Sequence, residues 1–272
     1  MLKPAAGKEF KFKTNYMNKI ITYTRYFLSY LKNKDLRSVA ASVNFLLKRP
    51  THKTDRIIKS SIGTFFCRKN TNDFQFANYY YEWSVKKRVL KLLPTFTVFL
   101  DGGACTGDYS ILLAKRGIRC FAFEPVRDTF SVLKKNLELN DLQDKVKAYS
   151  FGLGNTQENV RFEIDTVNTG ASHKTIKTSG SQEMVEIRTL DSILPEMSIR
   201  LEETILLKLD VEGMEVEAIQ GAKTLIRDYP NLTLIVEMKH CGPRLIEEAL
   251  NTIAPFTCKR LDAYNLIATR TL

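Results

Sequence analysis

Asp101-Gly102-Gly103-Ala104-Cys105-Thr106-Gly107 sets a carboxylate directly before a glycine-rich turn, and a second carboxylate, Glu124, follows downstream. Glycine tolerates positive φ and carries no side chain, so such a turn can bend tightly and bring backbone close to a ligand. An acid at the turn can accept hydrogen bonds from that ligand, and an acid about twenty residues later is placed to grip ribose hydroxyls. The middle glycine of the dinucleotide fingerprint Gly-x-Gly-x-x-Gly is absent; what stands here is Asp101-x-Gly103-x-x-x-Gly107. The pattern points to a nucleoside-type ligand. Further along, Asp210, Glu212, Glu237 and His240 are candidates for taking a proton from a poorly acidic hydroxyl. Histidine titrates near neutrality, which suits a general base, although a lone histidine can equally cap a strand end or bond a carbonyl. Asp210, Glu237 and His240 also form a carboxylate–imidazole set of the kind that binds divalent cations. None of them has the helical ligand spacing that would argue for a metal independently, so a metal is not expected.

These residues need elements to hold them. Val98–Gly102 reads as an apolar strand, 108–115 as a helix, and Arg119–Glu124 as a second apolar strand, which makes a βαβ unit. A helix over 127–140 turns Phe130, Leu133 and Leu137 inward, and a third strand follows near 145–151. Residues 158–190 break the alternation, with 159–164 and 184–188 reading as paired antiparallel strands around a polar loop. A buried fourth strand covers 203–210, a helix 214–226, a fifth strand 232–237 and a helix 243–253. Residues 256–261 and 266–270 read as a closing antiparallel hairpin turning near Asp262. Strand–helix alternation of this kind implies an α/β fold with a mostly parallel central sheet.

The front of the chain is different. Residues 1–92 hold 20 Lys/Arg against 5 Asp/Glu, a net of +15, whereas residues 93–272 carry −4. This divides the chain into a basic, mainly helical N-terminal extension or cap (1–92) and a ligand-binding domain (93–272). Residues 1–15 read as disordered. A helix over 16–31 has Ile20, Tyr23, Phe27 and Leu31 on one side, which suits packing on the main domain or lying on a membrane, and a second helix covers 35–48. The aromatic-rich stretch 60–81 suits a cap over the ligand mouth or plain core packing. The basic front suits an anionic membrane, a phosphorylated carrier or nucleic acid, or is simply a solvated face. Five scattered cysteines without a Cys-x-x-Cys pair favour a reducing, cytoplasmic setting over a disulfide framework. No apolar run approaches the ~20 residues that span a bilayer, and the first residues lack a secretory signal.

Asp101-x-Gly103-x-x-x-Gly107 is the pattern of S-adenosylmethionine (SAM)-dependent methyltransferases. Together with Phe-Glu-Pro at 123–125, Asn-Thr-Gly-Ala-Ser at 168–172, Lys-Leu-Asp-Val-Glu-Gly at 208–213 and Glu237-x-x-His240, it resembles the FkbM-type methyltransferases over about residues 95–240. One departure is Gly102, where that family more often has valine. The resemblance implies the class I Rossmann-like fold and SAM as cofactor. It implies that Asp101, Gly103, Ala104 and Gly107 surround the methionine part of SAM and that Glu124 holds the ribose. Phe123 and Pro125 would shape the adenine slot, Ser150 to Gly152 would line the base, and Asp210 would lie near the reactive methyl. Asn168 and Ser172 would bind the acceptor, whereas His173 reads as a solvated loop residue and Lys208 as an ion-paired or snorkelling one. The implied reaction is O-methylation of a hydroxyl, that of a sugar in a glycan, glycolipid or related natural product; the charge of residues 1–92 separately favours an acceptor on an anionic membrane or carrier. A nucleic-acid acceptor and a non-catalytic SAM-fold protein are the alternatives. Against the former, the fourth strand ends in Asp-Val-Glu-Gly rather than Asn/Asp-Pro-Pro-aromatic.

Overall fold

The computed structural model of the chain describes residues 21–176 and 180–271. The expected disorder over 1–15, and residues 16–20 of the first expected helix, lie outside the described residues. Residues 21–32 are helical (α1), followed by α2 (Leu36–Leu46), whose Asp35 caps it by accepting from the Ser38 N–H. On α1 the expected stripe is corrected. Tyr23 and Leu31 are exposed, and the buried face runs through Ser29 and Tyr30, with Tyr26 partly buried. The aromatic ring at position 30 fits beside Phe74, and its hydroxyl bonds the Phe74 carbonyl. The extension is not purely helical: β1 (Arg56–Lys59) and β2 (Thr64–Cys67) form an antiparallel hairpin before α3 (Asp73–Phe76) and α4 (Trp83–Leu92).

The central unit then follows in order. It comprises β3 (Val98–Gly102), α5 (Asp108–Ala114), β4 (Arg119–Phe123), α6 (Arg127–Glu138), β5 (Val146–Tyr149), β6 (Gly152–Leu153), β7 (Glu158–Glu163), β8 (His173–Lys174) and β9 (Gln182–Arg188). It continues through α7 (Leu190–Met197), β10 (Ile205–Leu209), α8 (Glu215–Gln220), α9 (Lys223–Asp228), β11 (Leu232–Glu237), α10 (Gly242–Asn251), β12 (Phe256–Arg260) and β13 (Asn265–Arg270). Seven strands make one sheet in the order β12-β13-β11-β10-β3-β4-β5. From β11 to β5 the pairings are parallel, and the hairpin β12–β13 joins β11 antiparallel. Every residue of β3 and β10 is buried, as expected where helices cover both faces of a parallel sheet. This is the class I Rossmann-like architecture, and the chain order reverses direction across the sheet at β3–β10, the position where open α/β sheets bind ligands.

Two readings of the sequence need correction here. The expected helix 214–226 is two helices, α8 and α9. A Cβ on Gly221 would lie 1.8 Å from the Gly154 carbonyl oxygen, so the backbones meet at the break, and Asp191 caps α9 through the Thr224 and Leu225 N–H groups. The sequence reading also passes over α7, whose Leu190, Ile193, Leu194 and Met197 enter the main core. The paired strands around 158–190 are present as β7–β9, extended by β6 and β8 into a four-stranded sheet. Residues of the extension share a core with the sheet: Tyr30, Ala41, Phe65 and Val85 pack in the cluster that holds Phe99 and Leu112.

Candidate active site

The carboxyl ends of β3, β4, β10 and β11 converge, and with them Asp101, Glu124, Asp210 and Glu237. Gly103 takes φ +79°, and a Cβ there would lie 1.8 Å from the Asp210 carbonyl oxygen, so only glycine lets the β3 and β10 ends approach. Gly102 is matched to larger neighbours, since a Cβ would come within 3.1 Å of the Lys208 carbonyl and 2.9 Å of Leu209. Glu124, 6 % exposed, ties the glycine turn to its own strand end, accepting from the N–H of Cys105 at 3.0 Å and of Val126 at 2.9 Å. Burial pushes its carboxyl up to about 7, and those two N–H groups pull against that rise. Each of its oxygens retains a second acceptor position for a ligand hydroxyl.

Gly103, Glu124, Pro125, Gly152, Asp210 and Glu212 border a cleft of about 510 Å³. Ser172 also lines it, with its hydroxyl accepting from the Asp165 N–H. Asn168 sits one step back: its Oδ1 accepts from Asn72 at 2.7 Å, fixing the 168–172 loop to the extension. Thr169 completes that link by donating to Asp73 at 2.8 Å, and Asp73 is held by Arg68. Asp101, Ala104 and Gly107 lie behind the cleft wall. Asp101 is buried, accepts from the Ser110 hydroxyl at 2.6 Å, and is pushed up to about 6 by burial against the pull of Lys208. Ser150 is exposed, and Phe151 belongs to the core. Phe123 is also core, stacked on Tyr149 at 5.2 Å. None of the 60–81 aromatics lines the cleft. Phe65 and Phe74 are core, while Phe76 packs at Gly170 on the cleft's edge.

Lys208 is buried and paired with Asp210 at 2.8 Å. Burial works to lower its pKa, but Asp210, Glu82 and Asp101 outweigh burial and raise it. Asp210 is therefore taken, and it drops out of the proposed metal set. The side chains that actually converge are Glu212, Glu237 and His240, with one ligating atom from each lying within 4.8 Å of the others. The turn after β10 makes this possible: Glu212 has φ +49°, and Glu215 Oε1 accepts from the Val211 and Gly213 N–H groups to hold the bend. Glu212 Oε2 then meets His240 Nε2 at 3.0 Å and Lys239 Nζ at 3.3 Å, and Glu237 stands 4.0 Å from the imidazole. Burial, then repulsion by Asp210 and Glu212, lifts the Glu237 carboxyl to about 8. His173 is exposed, as read, and bonds the Ala171 carbonyl.

Glu237 also borders a second, wider groove of about 2410 Å³ between α1, α2, residues 75–84 and the turn at 262–265. Beneath it lies a charge network that has no sequence motif. Lys86, fully buried, pairs with Asp108 at 2.6 Å, and Tyr109 lies with Lys86 and Lys208 each 5.0 Å from its ring centre. The Tyr109 hydroxyl donates to Glu82 at 2.9 Å, and burial pushes Glu82 up to about 7. The aromatic Tyr109 next to the glycine turn was the one available hint of this arrangement.

The family model described as the methyltransferase FkbM domain matches residues 101–254, more than half of the 272-residue chain. The chain belongs to the FkbM methyltransferase family. That family's cofactor is SAM, and the cleft fits it, with Gly103 letting two strand ends meet at its wall and Glu124 keeping acceptor capacity for a ribose. The chain is 29 % identical over 159 residues to methyltransferase sdnD of Sordaria araneosa, spanning 47 % of this chain and 61 % of that protein. It is similar to the crystal structure of methyltransferase FkbM from Methylobacillus flagellatus, with 18 % identity, a TM-score of 0.46, and coverage of 64 % of this chain and 43 % of that one. It is also similar to a T. thermophilus 16S rRNA N2 G1207 methyltransferase, with 15 % identity, a TM-score of 0.44, and coverage of 82 % and 52 %.

Proposed function

We propose that the methyltransferase acts on a hydroxyl of a carbohydrate acceptor seated in the wider groove. The lining of that groove carries the reading: Tyr26, Phe27, Tyr81, Trp83 and Tyr264 interleave with Gln75, Ser84 and three carboxylates. Aromatic faces stack on the C–H faces of sugars, while carboxylates and amides take the hydroxyls. The carboxylates Glu82, Glu237 and Asp262 stand against one guanidinium, Arg25. Such a lining disfavours a phosphate backbone and supports a neutral polyol over nucleic acid. In this reading residues 1–92 form the acceptor side and residues 93–272 the cofactor domain.

Bound SAM supplies an activated methyl on a sulfonium centre. The chain's own part is to hold the acceptor oxygen in line and accept its proton. Glu237 borders the groove, Glu212 borders the cleft, and His240 stands between them, so these three groups bridge the two sites. In its ionised form Glu237 takes the hydroxyl proton, and Glu212 orients the imidazole. All five cysteines are unpaired, which supports a reducing, cytoplasmic setting.

The test is methyl transfer from labelled SAM to panels of neutral glycans, anionic glycans and RNA, followed by mass mapping of the product. Label on a glycan oxygen, lost in Glu237→Gln, is the expected result. Label on RNA alone would overturn the reading.

A further inference from the structure

Outside the cleft, the most unusual surface is on the first two helices, where Ile21, Arg25 and Leu46 also border the groove. On α1, Ile21, Leu28 and Leu31 are exposed at helical spacing, and on α2 so are Leu36, Val43 and Leu46, at 43 % to 66 % of their free surface. Positions spaced seven and three apart share one helix face. The opposite faces are the ones that bury Tyr30 and Ala41 in the same core cluster, so both apolar stripes point away from that core. Contiguous apolar surface of this kind on a folded protein marks an interaction face.

The charges around the stripes identify the partner. Arg25, Lys32, Lys34, Arg37, Lys48 and Arg49 are all exposed, and among the described residues none of them makes an ion pair. The acid of this stretch, Asp35, is held by Arg56 at 3.2 Å. A two-fold contact between copies through this face would bring the same uncompensated cations together. The preceding residues cannot neutralise them, because 1–20 hold Lys3, Lys8, Lys11, Lys13 and Lys19 against Glu9. Apolar side chains flanked by unpaired cations match the boundary of an anionic bilayer, where leucines enter the acyl edge and cations meet the headgroups. Among the described residues no helix is long and apolar enough to cross a membrane.

We propose that the α1–α2 hairpin docks the enzyme peripherally on an anionic lipid surface. Leu28 and Leu36 do the inserting and Lys34 and Arg37 the electrostatic part, and none of these four lines the groove or the cleft. The inference therefore stands or falls separately from the identity of the acceptor.

Co-sedimentation of the full chain with extruded vesicles tests it, using phosphatidylcholine alone and phosphatidylcholine mixed with phosphatidylglycerol. Binding to the anionic vesicles, weakened by added salt, is the expected result. The double change Leu28→Asp/Leu36→Asp should weaken it at least about tenfold, and each of Lys34→Glu and Arg37→Glu by several-fold, with affinity for S-adenosylhomocysteine retained as the control for folding. Equal binding to both vesicle types, or binding indifferent to the leucine changes, overturns the proposal. So does a wild-type dimer that ignores vesicles and is dissolved by Leu28→Asp/Leu36→Asp, which would assign the face to a second copy. Salt-sensitive binding to RNA that needs Lys34 and Arg37 but not the leucines also overturns it.

Discussion

Around the cofactor cleft, many of the deciding contacts use backbone N–H groups: Cys105 and Val126 to Glu124, and Val211 and Gly213 to Glu215. Around the wider groove they use side chains: Ser84 to Asp262, Tyr109 to Glu82, Lys86 to Asp108. The cleft is built from strand ends and turns on neighbouring strands. The groove exists only because the N-terminal extension and the C-terminal hairpin turn meet above the sheet. The cleft is thus marked by motif and the groove by assembly alone.

The comparison breaks most sharply at Gly103. Gly103→Ala would need a Cβ 1.8 Å from a backbone oxygen at φ +79°, which should cost at least about 4 kcal/mol and abolish binding of S-adenosylhomocysteine. Urea unfolding and calorimetry measure both, and a variant that folds and binds normally would refute the cradle. Glu237→Gln should act only on the acceptor side, lowering kcat about 100-fold with cofactor affinity intact. Because the carboxyl is lifted to about 8, wild-type kcat should climb with pH through that value, and the variant should lose that limb. Survival of the limb in Glu237→Gln, with its loss in His240→Gln, would move the base to the imidazole.

Trp83→Ala is the milder version on the groove side. The KM for the acceptor should rise about tenfold, about 1.4 kcal/mol, with no change in cofactor affinity in the same titration. The smallest effect concerns Glu124 and stability. Burial holds its carboxyl at about 7 instead of 4.5, so the folded state keeps a proton that the unfolded chain releases. Its contribution is complete below the unfolded value, declines as pH rises through about 7, and is constant above. Urea midpoints across that window should therefore fall with pH in the wild type and fall less in Glu124→Gln.

What the sequence determined by itself is the sheet, its βαβ core and the cofactor end. Val98–Gly102 and Ile205–Leu209 are mainly apolar runs because both faces of a central parallel strand are covered; Asp101, Gly103 and Gly107 follow from one short turn, and Glu124 from the end of the next strand. The break between α8 and α9 was hidden, because Gly221 is needed for an approach to Gly154 that no local pattern announces. On α1 periodicity marks an apolar face without saying what covers it, and the pocket beside Phe74 makes Tyr30 the buried side. Only the tertiary structure separated Asp210 from Glu237 and His240 by giving it to Lys208, and only it joined Glu82, Lys86 and Tyr109 beneath the groove. Pairing between charges distant in sequence depends on burial and on distance, and neither exists until the chain has folded.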